Sequence, residues 1–354
     1  MKKKWIGLFW AVFMVLSLTA CREDPDAKKY ALITNSSTEE TAYYTDLVWE
    51  GIEKFANEQG VKCGKYTSAG MDTEKITEKI DEAVDAGAKV VFCIGDEMSV
   101  AIYEAQKEHK KVKFYLMEAE PHKEGKEKVS IRENTCVIQF DIVQEGFLAG
   151  YAAVANGARS IGFMAGEKTD RNEKLLSGYL QGAETAAKDA GLSAGEVTFR
   201  QLYTGADKLS PEYMATGIEW YKAGCEVIFT PDKNVAVSVS KAAENQDKKI
   251  ICADDKQPDN TAQILTSTRK DYAGVAYQAL SDCINENFVG ETAVTFGAKE
   301  SGISMDLENS SFTGFSQEKY DSMYQALANG TISVEETAPT TIYVVMAGES
   351  MSFS

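Results

Sequence analysis

From Tyr30 onward, short apolar runs alternate with amphipathic stretches of helical period. The apolar runs predict strands at 30–34, 61–66, 89–94, 112–117, 136–140, 160–164, 197–203, 226–230, 249–253 and 262–266. Helices are predicted between many of them. In 72–86, Asp72 stands at the N-cap, Ile76, Ile80, Ala83 and Val84 make one face, and Gly87 follows the end. Strands that alternate with helices in this way are the mark of parallel sheets with helices on both faces.

The same pattern occurs twice. Tyr30 to Gly60 aligns without a gap onto Ile161 to Gly191, so that Gly51-Ile-Glu-Lys-Phe-Ala lies over Gly182-Ala-Glu-Thr-Ala-Ala. Further on, Val90-Val-Phe92 aligns with Val227-Ile-Phe229, and the same offset brings Lys113-Phe-Tyr-Leu116 onto Ile250-Ile-Cys-Ala253. Two βα units recurring in one order imply two similar doubly wound parallel-sheet α/β lobes. The expected division gives 30–140 plus 256–290 to an N-terminal lobe and 141–255 plus 291–345 to a C-terminal lobe. The chain would then cross between them near Asp141, near Asp254 and around 290.

Ahead of this pattern, Lys2, Lys3 and Lys4 precede an apolar run from Trp5 to Leu18. That run suits a signal peptide and is short for a membrane-spanning helix. It ends in Leu18-Thr19-Ala20-Cys21, which resembles a bacterial lipobox. Residues 1–20 are therefore expected to be a lipoprotein signal peptide, with Cys21 the lipidated residue and 21–29 a polar tether. Several acyl chains on one cysteine would anchor durably, where a single chain would not.

The formal net charge of −17 disfavours nucleic acid and anionic lipid as partners. His109 and His122 lie in lysine-rich polar stretches, which leaves a Ser–His–Asp arrangement without a base. No Cys/His spacing suits zinc, and neither a GxGxxG nor a P-loop is present. Asp254 to Asp259 superficially resembles a calcium loop. It lacks the central glycine, and Leu265 takes the place of the bidentate Glu. No catalytic residue, metal or cofactor is expected. The remaining cysteines, Cys63, Cys93, Cys136, Cys225, Cys252 and Cys283, include several inside apolar strand runs, where buried thiols are expected.

In open parallel sheets, ligands bind beyond the carboxyl ends of the strands, and two lobes facing one another would form a hinged cleft. The strand-end groups are Asn35 and Ser36, Ser68 to Gly70, Gly95 to Glu97, Glu118, Asp141, Gly166 and Glu167, Thr204, Thr230 to Asp232, and Asp254 and Asp255. They are rich in carboxylates and hydroxyls, as a hydroxylated or cationic ligand would require. At most individual positions a helix cap accounts for the residue better than a ligand contact does.

Ala31-Leu-Ile-Thr-Asn35, Tyr43-Tyr-Thr45 and Trp49-Glu-Gly51 resemble the opening of the basic membrane protein family of ABC-transporter substrate-binding lipoproteins, relatives of the purine nucleoside receptor A type. The resemblance continues through Glu145-Gly-Phe-Leu-Ala-Gly-Tyr151, Ile161-Gly-Phe-Met-Ala-Gly166, Cys252-Ala-Asp-Asp-Lys-Gln257, Thr266-Ser267 with Lys270, and Ala328-Asn-Gly-Thr-Ile332. It implies the type I periplasmic-binding-protein fold. It also implies a monomer, lipid-anchored on the extracytoplasmic face of a bacterial membrane, that passes a nucleoside or similar hydroxylated heterocycle to the permease subunits of an ABC importer.

By the same resemblance, Tyr44 stands where the family stacks an aromatic ring on the base. Asp254 would accept from the ribose hydroxyls, Lys270 matches a family lysine, and Thr45 replaces an asparagine. Asn35, Tyr44, Thr45, Gly166, Asp254 and Lys270 are the expected ligand-binding residues. Asn35 replaces the family's base-binding aspartate, and an amide can donate as well as accept. Leu175, the counterpart of Tyr44 in the repeat, offers an aliphatic wall at most. The competing expectations are a lipoprotein for another small solute, such as a sugar or a riboflavin-like heterocycle, and a surface structural lipoprotein.

Overall fold

The computed structural model describes residues 26–35, 39–126, 128–253, 261–337, 340–347 and 351–352. Cys21 and Asp254 lie outside the described residues. The strands are β1 (Lys28–Asn35), β2 (Lys62–Ser68), β3 (Val90–Ile94), β4 (Lys113–Met117), β5 (Thr135–Phe140), β6 (Ser160–Ala165), β7 (Val197–Tyr203), β8 (Val227–Thr230), β9 (Lys249–Cys252), β10 (Ile264–Lys270), β11 (Thr292–Phe296), β12 (Ile303–Met305), β13 (Val344–Met346) and β14 (Met351–Ser352). The helices are α1 (Glu39–Gln59), α2 (Thr73–Asp85), α3 (Ser99–Glu108), α4 (Ile142–Ala155), α5 (Asp170–Asp189), α6 (Pro211–Lys222), α7 (Lys233–Gln246), α8 (Tyr272–Ile284) and α9 (Gln317–Ala328).

One sheet has the order β11-β5-β4-β3-β1-β2, the other β12-β10-β9-β8-β6-β7-β13. The repeated pattern is thus a repeated topology, with β4-β3-β1-β2 matched by β9-β8-β6-β7. The match extends to register. Tyr30, Ala31 and Leu32 face Val90, Val91 and Phe92. Ile161, Gly162 and Phe163, at the aligned positions, face Val227, Ile228 and Phe229. It extends to helix ends as well. Gly60 and Gly191 close α1 and α5 in the left-handed region, at φ 65° and 67°. There the N–H groups of Gly60 and Val61 reach the carbonyls of Asn57 and Ala56, and those of Gly191 and Leu192 reach Lys188 and Ala187. Such reversed bonds satisfy carbonyls that a helix end leaves open, and glycine reaches this conformation without a Cβ penalty.

The chain divides into two compact units. The first holds residues through Leu116, Glu120–Cys136 and Val289–Glu291, and the second holds Met117–Ala119, Val137–Phe288 and Thr292 onward. This corrects the placement of 256–290 with the first lobe. β10 pairs in parallel with β9, Ile264 opposite Ile250, so it belongs to the second sheet. Both flanks of the expected passage at Asp254 lie in the second unit. An apolar run shows that a strand forms, but the sheet it joins is decided by partner strands elsewhere in the chain.

In the first unit Ile76, Ile80 and Ala83 of the predicted α2 face are buried, Val84 is half-buried, and Asp72 stands at the N-cap without a side-chain bond to the helix. In the second unit α4 and α5 cross backbone to backbone. A Cβ built on Gly150 would lie 1.9 Å from the Tyr179 carbonyl oxygen, and one on Gly178 would lie 1.9 Å from that of Val143. Gly146 and Gly182 are equally tight against Leu175 and Phe147, at 2.1 Å. Four glycines, spaced four apart on each helix, bring the two main chains together.

Candidate functional site

At the C-terminal end of β1, Asn35 is buried, with 3% of its surface exposed. Its Nδ2 donates to Glu97 Oε1 at 2.6 Å. Glu97 sits in a short 3-10 turn, Asp96–Met98, entered through Gly95 at φ 97°. A Cβ on Gly95 would stand 2.4 Å from Glu97 Oε2, so the glycine is what lets this carboxylate fold back toward β1. Beside it, Ser68 ends β2 and donates to the Gly70 carbonyl at 2.8 Å.

On the first turns of α1, Tyr44 is half-buried and meets the exposed Tyr43 edge-to-face, ring centres 5.5 Å apart. The buried face of α1 continues through Val48, Ile52, Phe55 and Ala56. Thr45 is buried and donates to the Ala42 carbonyl at 2.9 Å, so its hydroxyl satisfies its own helix.

In the second unit, β10 ends at Lys270, whose Nζ donates to Glu118 Oε1 at 2.6 Å. The Tyr272 hydroxyl donates to the other oxygen of the same carboxylate. Phe140 stands under the ammonium, 5.7 Å from Nζ to ring centre, and packs edge-to-face on Tyr272 at 4.9 Å. The Lys270 side chain is only 2% exposed, and an ammonium so far from water needs this carboxylate partner. Glu118 itself adopts φ 56°, a left-handed backbone that a non-glycine residue holds only where its surroundings enforce it. Asp141, which caps α4 by accepting from the Gln144 N–H at 3.0 Å, is pushed up in pKa by burial.

At the end of β6, the Gly166 N–H donates to Asp232 Oδ2 at 2.6 Å, and Asn172 Nδ2 donates to the same oxygen at 3.1 Å. A side chain on Gly166 would meet the Asp207 backbone nitrogen at 2.9 Å. The glycine thus makes room for the 206–207 backbone. Leu175 is fully buried in the second unit.

The structure therefore ties Asn35 to Glu97 and Lys270 to Glu118, and leaves Tyr44 half-buried with its hydroxyl covered. Thr45 and Gly166 have structural occupations. Sequence reasoning missed Tyr272, Phe140 and Asn172 as partners. None carries a motif, and each is found only through the strand or helix end beside it. Surface cavities of about 430 Å³ beside Asp170, Lys174 and Glu336, and about 220 Å³ beside Arg200, Trp220 and Met346, touch none of the expected ligand residues.

Asp81, Glu108 and His109 form the one three-donor group among the described residues with metal-binding spacing. His109 Nε2 and Asp81 Oδ1 already satisfy each other across 2.7 Å. Cys93, Cys136, Cys225 and Cys252 are buried. Among the described residues no helix is long and apolar enough to cross a membrane.

Two α/β units built on largely parallel sheets have the type I periplasmic-binding-protein fold. A solved ABC transporter solute-binding protein from Conexibacter woesei shares this fold with a TM-score of 0.69 at 16% identity, over 87% of this chain and 99% of that one. Residues 27–338 match the model of the PnrA-like ABC transporter substrate-binding proteins, and the chain belongs to that family. It is 22% identical over 302 residues to the ABC transporter nucleoside-binding protein BmpA of Lactococcus lactis, covering 79% of this chain and 82% of that protein. It is 25% identical over 256 residues to Basic membrane protein B of Borreliella burgdorferi, covering 70% and 69%. The family consists of extracytoplasmic substrate-binding proteins rather than enzymes.

Proposed function

We propose that this chain captures a nucleoside, or a similar hydroxylated heterocycle, and delivers it to the permease of an ABC importer while held to the membrane by lipid on Cys21. The observation that carries the reading is Tyr44. Within a chain related to a nucleoside-binding protein, it is a partly exposed aromatic side chain at the start of α1, close in sequence to the buried polar end of β1. Stacking on a heterocycle adds about 0.5–1.5 kcal/mol beyond burial of area. In the second unit the Lys270 charge is already matched by Glu118, which favours a neutral ligand over a phosphorylated one. Asp254 supplies the acceptor for ribose hydroxyls.

Calorimetry against nucleosides, nucleoside monophosphates, free bases, riboflavin-like heterocycles and simple sugars tests the reading. Nucleosides should bind, and their monophosphates should bind more weakly. Binding of sugars alone would overturn it.

A further inference from the structure

We propose that Glu97 is a positioning residue that sets the hydrogen-bonding polarity of Asn35, so that an amide does the work of an acceptor and the ligand must offer a donor. The proposal rests on the reading of the chain as a nucleoside-binding protein and adds to it the edge of the base that is recognised.

A primary amide has two faces of opposite polarity, an oxygen that only accepts and a nitrogen that only donates. Left alone at a binding site, Asn35 could turn either toward a ligand. Glu97 removes that choice. An ionised carboxylate only accepts, so the atom it meets at 2.6 Å is the Asn35 nitrogen. A turned amide would set its oxygen against the carboxylate, acceptor against acceptor, and lose this contact.

The carboxylate is carried there on a 3-10 turn entered through Gly95, whose missing side chain leaves the space it occupies. The turn is pinned from the next helix by Ser99, whose hydroxyl lies 3.3 Å from Asp96 Oδ1. Asn35 is anchored from below, because β1 is paired on both sides, with β2 and with β3. The Asn35 oxygen is thereby turned away from Glu97. With two lone pairs it can accept from a ligand alongside a protein donor.

The test compares inosine, which carries a proton on N1, with purine riboside, whose N1 can only accept. The unaltered protein should prefer inosine by about tenfold, the scale of one well-made hydrogen bond in a dry site. Glu97→Ala removes the carboxylate that orients the amide, and the preference should collapse toward unity while thermal melting shows the fold retained. Asn35→Asp combined with Glu97→Gln rebuilds the polarity in mirror form, a fixed acceptor held by an amide, and should restore the preference. This pair keeps the test decisive if Glu97→Ala does not fold.

A Glu97→Ala protein that discriminates as the parent does would overturn the proposal and leave the nucleoside reading intact. So would a double variant without preference. A parent that binds neither nucleoside would overturn both.

Discussion

Lys270 and Glu118, 152 residues apart in sequence, share a 2.6 Å ion pair at the ends of β10 and β4, with the lysine shielded almost fully from water. Removing one member of such a pair strands the other. Lys270→Ala should lower stability by about 3 kcal/mol, the lower part of the range for breaking a buried pair, because Glu118 keeps some access to solvent. Glu118→Gln leaves one acceptor oxygen where two donors each hold their own and strips the buried ammonium of its countercharge, so it should cost at least as much. Urea unfolding of the two variants checks the order.

Tyr44→Ala should weaken nucleoside binding by about 1–3 kcal/mol, the scale of losing a stacking face. Stability should change little, since the tightly buried face of α1 runs through Val48, Ile52 and Phe55. Equal affinity in calorimetry would remove Tyr44 from the ligand site.

Changing Cys21 to Ala should release the protein from the membrane fraction or leave its signal uncleaved. Processing and fractionation identical to the parent would end the lipid-anchor proposal.

Gly150→Ala should destabilise by 3 kcal/mol or more, roughly the upper end for overpacking, because its Cβ would fall within 1.9 Å of a main-chain oxygen that has no side-chain freedom to yield. Gly191→Ala should cost only about 1 kcal/mol, since that position is strained in φ alone and open in space. Thermal melting of the two variants separates backbone clash from backbone strain.

Asp141 is raised in pKa by burial, so in the acid range the folded chain holds its proton more tightly than the unfolded chain does. The stability this contributes is present below the ordinary carboxylate value and is lost as pH rises through the folded-state value. Relative to Asp141→Asn, which keeps a capping side chain, the parent should lose stability as pH rises above about 4. Denaturant titrations of both proteins across the acid range check the sign.

All ten strands expected from apolar runs are present, with ends shifted by a few residues, because strands buried on both faces, such as β3 and β8, announce themselves by composition and the half-buried β2 and β7 by alternation. The repeat was legible to the level of register, since Tyr30 and Val90 pair as Ile161 and Val227 do. Sheet membership was not. Nothing in Ile264–Lys270 reveals that its neighbour is β9. β11 to β14 were missed because they are short, and β11 is only half-buried along its length.

At the candidate site, residue types were legible and their engagements were not. Thr45 looked available and is spent on Ala42, while Asn35 looked ambiguous and is fixed by a glutamate 62 residues away. Those outcomes depend on turns and caps that no local pattern encodes.

The duplicated sheet order leaves the two copies with the same unsolved edge, and they settle it differently. β7 is covered by β13, with Val344 to Met346 laid in parallel along Val197 to Phe199. β2, its counterpart, ends the path of the first sheet, and Lys62 and Lys65 stand along it with partners in Asp26 and Asp46. Charged side chains on an edge discourage another strand from docking, whereas a covered edge has no such guard. A chain cut before Val344 would expose β7 between Val197 and Phe199 without any lysine in that stretch, and self-association through strand addition would begin there rather than at β2.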